Sequence, residues 1–413
     1  TLFRSLLTNS QINIANSLGL SEGGLSSHLS VIMHQLVSRN NADQYNVTGS
    51  DYAILQSWNH LYAGALEDLK YIIEKGTENG DMAYVGIAKI LKAYAFSQMV
   101  DVWGDIPFSE ANSVPGTEHP KFDDDETIYP KLFDLLNEGI SDLQDSTENG
   151  GNTPGEDDLI YGGDLENWIK AANTIKLKLY NQVRLTRDVS AEVNDLINED
   201  NLISSAQEDF ELPYGTSLLP ENRNPGYIAE YTDGEMNYYI SPWFYEIMTG
   251  QKSGHHLSGI TDPRTPYYWF RQVDDYHNAQ NDVEYGDGGF VSIYFGSIST
   301  TRDLSQGRSG TVIGLYPCGG RFDDGNPVVV TSTGANSGPG DVPFRMLTYA
   351  DRLFIQAELA LAGITSENAR FLLLNAIVTS LNKINEVVVG SEQPNTVFQL
   401  SGTQTTNHFK NVL

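Results

Sequence analysis

The spacing of apolar residues over residues 51–73 constrains the fold of this chain more than any other feature. Apolar side chains recur there at steps of three and four, which is the period of one face of an α-helix. They are Ile54, Leu55, Trp58, Leu61, Tyr62, Ala65, Leu66, Leu69, Ile72 and Ile73. The wide stripe predicts an amphipathic helix, and Gly76, after Glu74 and Lys75, predicts its C-terminal end.

The same period recurs in other segments. Residues 81–100 carry apolar groups on two faces, which predicts a helix that is buried on two sides and ends at Gly104. Further helices are predicted over residues 127–143, 165–185, 191–199, 348–362 and 366–387. These helices favour a mainly α fold with a tetratricopeptide-like helical-repeat body. The spacing Trp58-x3-Tyr62-x2-Ala65 fits such a repeat, although the repeat lengths are irregular.

Residues 204–346 differ from the helical segments on either side of them. Gly, Pro, Asn, Ser and Asp become frequent, and only short β-like runs, at residues 290–295 and 328–331, interrupt the loops. Between Tyr227 and Phe295, 16 of 69 residues are aromatic, against 43 of 413 in the whole chain. We therefore predict one domain over residues 1–413. Its helical body comprises residues 1–203 and 347–390, and residues 204–346 form a loop-rich, aromatic-rich insert that is the candidate binding region.

The charge of the chain excludes some partners. The formal net charge is −29, so attraction to nucleic acid or to an anionic membrane surface is not expected. The single cysteine, Cys318, cannot form an internal disulfide or a cysteine-rich zinc site. No apolar run approaches the roughly 18 residues needed to span a bilayer. The sequence starts at Thr1 with no charged segment before an apolar one, so any signal peptide or lipid anchor would lie before residue 1.

Signatures of catalysis and metal binding are weak. The sequence contains no G-x-S-x-G, H-E-x-x-H, Walker A or C-x-x-C motif. The adjacent residues His255 and His256 would need distant partners to hold zinc, so a solvated loop is preferred. The acidic run 123–126 could hold a structural calcium, but capping of the helix that follows it is the preferred interpretation. We predict no catalytic residues, no metal site and no cofactor, with a structural calcium as the open alternative.

The segment from Asp101 to Pro107 is more specific. This segment predicts a sharp turn out of the helix, because Trp103 and Gly104 lie at the helix end and are followed by Asp105 and Pro107. Trp103 is expected to pack over the turn, and the two aspartates are expected to cap free backbone amides. These are structural rather than catalytic roles.

Together with its neighbours, this segment resembles the SusD-like (RagB-like) outer-membrane nutrient-binding lipoproteins, and most closely the starch-binding-associated subgroup. The matching motifs occur in order along nearly the whole chain. They are Trp58-x3-Tyr62-Ala-Gly-Ala-Leu66, residues 87–96 followed by 100–107, Asp158-Leu-Ile-Tyr-Gly-Gly-Asp164 with Trp168 and Lys176, Asn224-Pro225, Asp262-Pro263-Arg264, and Leu347-Thr-Tyr-Ala-x3-Phe354-Ile-x-Ala-Glu358.

The resemblance implies a function as well as a fold. It implies a non-catalytic protein on the surface of a Gram-negative outer membrane, held there by an N-terminal lipid anchor. It also implies a SusC-like TonB-dependent transporter as partner, to which an oligosaccharide or peptide ligand is delivered. Specificity in this family lies in variable loops, so the ligand itself is not implied.

The aromatic residues of the insert are the candidate ligand-binding residues. Tyr and Trp offer a flat apolar face with a polar tip, which suits the C–H face of a sugar. The candidates are Trp243, Tyr245, Tyr267, Tyr268, Trp269, Tyr276 and Tyr285, with Tyr45 in the loop of residues 40–47 as a weaker one. Burial of most of them as packing residues is the competing interpretation. Arg264 is expected to form a structural ion pair with Asp262 rather than to contact a ligand.

Two other functions stay open at this point. A polysaccharide-degrading enzyme would need a carboxylate pair in a cleft. A helical-repeat subunit that binds only protein would bury the aromatic residues of the insert.

Overall fold

The chain divides into two compact units. The computed structural model describes residues 2–21, 23–39, 52–113, 119–149, 151–232, 237–255, 257–273, 283–297, 310–326, 338–390 and 400–412. Unit 1 comprises Thr1–Ala15, Trp58–Leu212 and Arg345–Thr379, and unit 2 comprises Asn16–Ser57, Pro213–Phe344 and Ser380–Leu413. Unit 2 thus takes in two segments that the sequence interpretation placed in the helical body. The single domain over residues 1–413 stays a prediction.

Helices dominate the architecture. In chain order they are α1 (Leu2–Leu18), α2 (Leu25–Ile32), α3 (Tyr52–Asn59), α4 (Glu67–Asn79), α5 (Met82–Trp103), α6 (Asp125–Asn149), α7 (Leu165–Val183), α8 (Ser190–Glu199), α9 (Pro225–Tyr227), α10 (Pro242–Met248), α11 (Thr265–Tyr268), α12 (Leu315–Cys318), α13 (Tyr349–Leu361), α14 (Ala369–Gly390) and α15 (Gly402–Val412). A π-helical segment, His60–Leu66, joins α3 to α4, a second, Ile228–Thr232, follows α9, and Ala206–Glu208 form a 3-10 turn. This confirms the predicted mainly α class.

The strands are short. They are β1 (Leu36–Ser38), β2 (Phe210–Leu212), β3 (Tyr238–Ile240), β4 (Trp269–Arg271), β5 (Glu284–Asp287), β6 (Phe290–Ile293), β7 (Thr311–Ile313) and β8 (Phe344–Leu347). They form two-stranded sheets that pair β1 with β3, β2 with β8, β4 with β7 and β5 with β6. The strand predicted at residues 290–295 corresponds to β6, and the run at 328–331 lies outside the described residues.

Helix α5 is the centre of unit 1. It packs against α4, α6 and α7, and 15 of its 22 residues are buried. A helix that is apolar around its whole circumference belongs in a core, so the burial on two sides predicted from the sequence is confirmed. Each of α4 to α7 packs on the helix that follows it along the chain, as in a helical-repeat body.

Two glycines allow α5 and α6 to approach closely. A Cβ added to Gly86 would lie 2.7 Å from the carbonyl oxygen of Gly139, and one added to Gly139 would lie 2.9 Å from that of Gly86. No ordinary side chain fits at such distances. The pair therefore sets the spacing between these two helices.

The predicted stop at Gly76 is wrong, and close packing is the reason. Helix α4 continues through Gly76 to Asn79, and Gly80, at φ 80°, supplies the left-handed cap. A Cβ at Gly76 would lie 2.7 Å from Cγ2 of Val85 on α5. The absence of a side chain at Gly76 therefore serves the contact between α4 and α5.

The segment before α7 is organised by the buried carboxylate of Asp158. Its oxygens accept hydrogen bonds from Gln11 Nε2 (2.7 Å), Trp168 Nε1 (2.7 Å) and the backbone N–H of Gly163 (2.9 Å). Asp158 is only 2% exposed and Trp168 is fully buried. A buried carboxylate requires such a full set of donors. The ten-residue spacing from Asp158 to Trp168 therefore serves to bring the indole N–H to this carboxylate.

The core of unit 2 is built from strands and aromatic side chains. Strand β4 pairs antiparallel with β7, with Phe270 opposite Val312. β1 pairs antiparallel with β3, with Val37 opposite Tyr239. All four of these side chains are fully buried in one cluster. The aromatic enrichment of the insert therefore serves packing first.

The sequence interpretation missed α1 and α2. In α1 the polar residues Ser10, Gln11 and Ser17 are buried and interrupt the apolar stripe. The hydroxyl of Ser10 donates to the Leu6 carbonyl, and Gln11 bonds Asp158. A search for apolar residues at helical spacing does not detect a helix whose buried face carries polar side chains bonded within the protein.

Within the described residues, helix α14 is long and apolar enough to cross a bilayer by length and composition alone. It has 22 residues. The prediction that no apolar stretch is long enough to span a bilayer is therefore wrong for α14 by length and composition. Helices buried in a protein core can have the same length and apolar composition. Here Leu372, Ala376, Leu381 and Ile384 are buried, which accounts for part of the apolar character.

Candidate functional site

The segment from Asp101 to Pro107 holds the helices of unit 1 together. Asp101 accepts hydrogen bonds from the Tyr129 hydroxyl (2.5 Å) and from Gln182 Nε2 (2.6 Å), which ties α5 to α6 and α7. Gly104 ends α5 at φ 71°. The ring of Trp103 packs edge-on against that of Trp58, at 5.1 Å between centroids. The Pro107 carbonyl accepts the Tyr62 hydroxyl at 2.6 Å.

The acidic residues before α6 are engaged with the helix start. Oxygens of Asp105, Asp124 and Asp125 lie within 4.8 Å of one another. Asp105 Oδ1 accepts the N–H of Asp125 (3.1 Å), and Asp124 Oδ1 accepts the N–H of Glu126 (2.9 Å). Capping of a helix N-terminus accounts for this arrangement. The structural calcium stays a prediction, and His256 of the histidine pair lies outside the described residues.

Asp262 and Arg264 form an ion pair in unit 2. Arg264 Nη2 lies 2.6 Å from Asp262 Oδ2, and Nη1 donates to Ser380 Oγ at 2.8 Å. Burial opposes ionisation of Asp262, but hydrogen bonds and charge from Arg264 more than offset it and lower the pKa of this carboxyl. The arrangement clamps the loop before α11, the structural role expected for this pair.

The candidate aromatic residues fall into two groups. Tyr267 and Trp269 are 2% and 3% exposed, so both are core packing residues of unit 2 and offer no ring face to solvent. Tyr245, Tyr268 and Tyr285 are half-buried. Trp243 is 51% exposed. Tyr45 and Tyr276 lie outside the described residues.

Trp243 is exposed because it sits in the first turn of α10. Ser241 caps this helix, its Oγ accepting the N–H of Trp243 at 3.2 Å, and Pro242 takes the first helical position. The Lys252 ammonium lies 3.6 Å from the centroid of the Trp243 ring and 3.2 Å from Oε2 of Glu246. A cation thus covers one face of the indole and is itself neutralised.

Polar side chains continue the surface next to Trp243. The Tyr245 hydroxyl and Gln251 Nε2 both donate to Oδ2 of Asp287, each at 2.8 Å. Asp287 ends β5, where Gly288 (φ 50°) and Gly289 (φ 94°) form the tight turn to β6. This turn places the carboxylate of Asp287 beside α10.

A second exposed aromatic residue follows the hairpin. Tyr294 is 46% exposed and its ring meets that of Tyr285 edge-on at 5.8 Å. The Tyr285 ring also packs against that of Tyr245 at 6.1 Å, and the charge of Glu246, the carboxylate that holds Lys252, raises the pKa of Tyr285. A continuous chain of contacts therefore links Trp243 to Tyr294. We call this surface the Trp243 face; it consists of Trp243, Tyr245, Glu246, Gln251, Lys252, Tyr285, Asp287 and Tyr294.

The phenols of this face remain hydrogen-bond donors. Burial, and then the hydrogen bond to Asp287, raises the pKa of Tyr245 far above its usual value. Burial, followed by the charges of Glu246 and Asp287, does the same for the pKa of Tyr285. Both groups are therefore protonated throughout the physiological range. The Tyr245 hydroxyl donates its proton to Asp287, so this phenol fixes the face rather than transfers a proton.

Sequence reasoning found Trp243, Tyr245 and Tyr285 but missed the polar residues around them. Glu246, Gln251 and Lys252 follow Trp243 closely, so a search of its flanking polar residues could have included them. Asp287 reaches the face only through the β5–β6 hairpin. His34, from α2's C-terminal turn, lies 5.9 Å from the Trp243 ring and 4.2 Å from that of Phe295, between centroids. No local signal predicts such long-range neighbours.

Several solved structures superpose on nearly the whole of this chain. A SusD/RagB family protein from Bacteroides thetaiotaomicron superposes with a TM-score of 0.65 at 20% identity, covering 99% of this chain and 79% of that chain. A SusD homologue from Bacteroides fragilis gives 0.69 at 17% identity, with 99% and 78% covered. A chitin-binding SusD homologue from Flavobacterium johnsoniae gives 0.66 at 16% identity, with 92% and 71% covered. At these identities the likeness shows the fold alone.

The sequence itself carries the family assignment. No curated protein matches it. A model of the SusD-like family described as "Starch-binding associating with outer membrane" matches residues 2–408. Because that match spans nearly the whole sequence, the chain belongs to this SusD-like family, as its motifs predicted.

Proposed function

We propose that this protein binds an oligosaccharide at the bacterial cell surface through the Trp243 face and delivers it to a TonB-dependent outer-membrane transporter. One observation carries the proposal: two exposed aromatic rings, Trp243 and Tyr294, are linked by a continuous layer of polar side chains. The family description, with its starch binding and outer membrane, supports the ligand class and the location.

The chemistry of the face suits a sugar. The C–H face of a pyranose packs on an exposed aromatic ring, while its hydroxyls need donors and acceptors nearby. Lys252 and Gln251 supply N–H donors, and Glu246 and Asp287 supply acceptor oxygens. Each polar group is already held by a neighbour, so ordering the face on binding costs little entropy.

We propose further that the face is non-catalytic. The carboxylate of Glu246 is engaged by Lys252, and that of Asp287 by Tyr245 and Gln251. A glycosidase requires one carboxylate ready to give a proton and another ready to act as base or nucleophile. Carboxylates that serve as fixed acceptors for neighbouring donors suit recognition better than turnover.

Exposed apolar side chains support a protein partner as well. On α13, Phe354 and Leu361 are 39% and 82% exposed and are seven residues apart, which puts them on one face. On α14, Phe371 is 62% exposed. Helices α13 and α14 are neighbours, because Leu353 and Ala357 pack in one cluster with Leu372 and Ala376. A contiguous exposed apolar patch is typical of a protein interface. We propose that this surface of unit 1 contacts the transporter.

Affinity electrophoresis tests the proposed function. The purified protein would be run through native gels that contain soluble plant, microbial or host glycans, with casein peptides as a separate comparison. We expect retardation by one glycan, abolished in Trp243→Ala and retained in Phe371→Ala, an exposed aromatic residue outside the face. Retardation that survives Trp243→Ala, release of shortened products, or retention by peptides alone would contradict the proposal.

A further inference from the structure

Unit 1 contains an aromatic-lined cavity that the proposed function does not use. Its volume is about 680 Å³, within the range of roughly 300–1,000 Å³ that is typical of small-ligand sites. Its lining includes the aromatic residues Trp58, Tyr62 and Phe122 and the polar residues Glu67, Glu110 and Asn112. We call it the Trp58 pocket.

The aromatic wall of the pocket is rigid. Phe122 lies nearly parallel to Trp58, at 6.2 Å and 21°, and Tyr62 lies 4.8 Å from Trp58 between ring centroids. Behind the wall, Trp103 packs edge-on against Trp58. The Tyr62 hydroxyl donates to the Pro107 carbonyl, so Tyr62 offers its ring rather than its hydroxyl. Phe122 is 63% exposed, which is unusual for a phenylalanine in a packed cluster.

The rim of the pocket is held in place by Asn112. This residue adopts the left-handed conformation at φ 57°. Its Nδ2 donates to the Tyr62 carbonyl (2.7 Å) and to Glu67 Oε2 (2.9 Å), while its own carbonyl accepts Lys70 Nζ at 2.5 Å. A strained residue held by three contacts indicates a rim of defined shape.

The charge of the pocket is negative. Glu67 and Glu110 contribute carboxylates and His119 an imidazole, and no lysine or arginine is among the described residues that line it. The Lys70 ammonium at the rim bonds the Asn112 carbonyl and lies 3.8 Å from Glu74 Oε1. Lys121, close in sequence, donates its backbone N–H to Glu110 and directs its ammonium at Asp123, 3.2 Å away. An anionic ligand would be repelled, whereas a cation would gain from both the carboxylates and the aromatic faces.

We propose that the Trp58 pocket binds a positively charged amino sugar, such as a glucosamine unit with a free amine within an oligosaccharide. The nearly parallel rings of Trp58 and Phe122, with the ring of Tyr62 inclined at 49° to Trp58, offer enough aromatic surface to contact a pyranose, while a single alkylammonium group would use only part of it. Two carboxylates at the rim suit the ammonium and the neighbouring hydroxyls. The choice of a glycan rests on the proposed function; the location and the charge preference rest on this pocket alone.

Titration calorimetry with three probes tests this inference. The probes are a tetramer of glucosamine, its fully N-acetylated counterpart and tetralysine. We expect the glucosamine tetramer to bind about tenfold more tightly than the N-acetylated one, as suits two partly exposed charge contacts. We also expect this preference to shrink with added salt. Equal binding of the two tetramers would overturn the charge assignment, and binding of tetralysine alone would make the pocket a basic-peptide site.

Matched variants locate the binding. Phe122→Ala removes an exposed ring without opening the core, and we expect it to abolish glucosamine binding, as Trp58→Ala would. Glu67→Gln combined with Glu110→Gln keeps acceptor oxygens for Asn112 and Lys121 and should remove the preference for the free amine. Leu185→Ala, at an exposed apolar residue outside both the pocket and the Trp243 face, should leave glucosamine binding unchanged.

The two proposals fail separately. Loss of glucosamine binding in Trp243→Ala but not in Phe122→Ala would overturn the pocket inference and leave the Trp243 face standing. Loss in Phe122→Ala, together with no glycan binding at Trp243, would overturn the proposed function and leave the pocket standing.

Discussion

The ammonium of Lys252 lies 3.6 Å from the centroid of the Trp243 ring and is paired with Glu246 at 3.2 Å. One face of the indole is therefore covered by the protein itself, and only its remaining exposed surface can meet a ligand. The cation also restrains an exposed ring that would otherwise sample several rotamers. In the proposed function Lys252 is thus a positioning residue for Trp243.

Lys252→Met should loosen Trp243 while keeping an apolar chain of similar length. An exposed cation–π contact contributes about 0.5–1 kcal/mol, so we expect glycan binding to weaken roughly two- to fivefold. Acrylamide should quench the fluorescence of Trp243 more strongly. The same change in a Trp243→Phe background isolates this signal from the other tryptophans. Unchanged quenching in the native background would contradict a restraining role for Lys252.

Glu230 should make the stability of the protein depend on pH. Its carboxyl is buried, and burial raises its pKa to about 8, although the N–H groups of Asn237 and Tyr238 partly oppose this. The folded state then binds more protons than the unfolded state between about pH 4.5 and 8. Stability therefore falls as pH rises through this window. We expect the midpoint temperature to decrease from pH 5.5 to 8.5 more steeply in the native protein than in Glu230→Gln. Parallel curves would contradict this account of Glu230.

Asp123 should make stability depend on pH in the opposite direction, with stability lost as the pH falls. Burial disfavours its charge, but the N–H groups of Ser109 and Phe108 and the Ser109 hydroxyl outweigh burial and lower the pKa to about 2. The stabilisation is complete above the unfolded pKa near 3.8 and is lost as pH falls from there towards 2. Asp123→Asn should cost about 1–3 kcal/mol of unfolding free energy at pH 7. Urea-induced unfolding of both proteins at pH 7 and at pH 3 measures this loss. An equal loss of unfolding free energy at the two pH values would contradict the role of the Asp123 charge.

Gly139→Ala should destabilise unit 1 through overpacking. The added methyl group would lie 2.9 Å from the Gly86 carbonyl oxygen, and relieving that contact requires α5 and α6 to separate. We expect a loss of about 1–3 kcal/mol in urea-induced unfolding. Gly390→Ala is the matched control, because a Cβ there meets nothing within 4 Å, and it should cause no loss. If Gly139→Ala left the unfolding free energy unchanged, α5 and α6 would not be closely packed at this point.

The helices of unit 1 could be predicted because their period is local. Residues 51–73 and 81–100 carry their apolar stripes in the sequence, and the structure places helices over both. The stop at Gly76 failed because a glycine that ends a helix and one that admits a neighbouring helix have the same sequence signature. Helix α1 was missed because its buried Gln11 bonds to Asp158, 147 residues away.

The candidate site could be predicted only in part. Aromatic enrichment indicated the correct segment, but exposure depends on tertiary packing. Trp269 is buried because it lies on β4 beside β7, whereas Trp243 is exposed because it opens a short helix after Pro242. Composition alone does not distinguish these two cases. The partners Lys252, Gln251 and Asp287 become visible only when the β5–β6 hairpin and α10 are placed in space.

The most direct test of the central claim is titration calorimetry with the glycan that retards the protein in gels, applied to the native protein, Trp243→Ala and Phe371→Ala. An aromatic side chain that anchors a ligand typically contributes about 2 kcal/mol, which corresponds to roughly a 30-fold change in affinity. We predict that Trp243→Ala loses at least this much while Phe371→Ala binds as the native protein does. Equal affinity of Trp243→Ala and the native protein would contradict the claim that the Trp243 face binds the glycan.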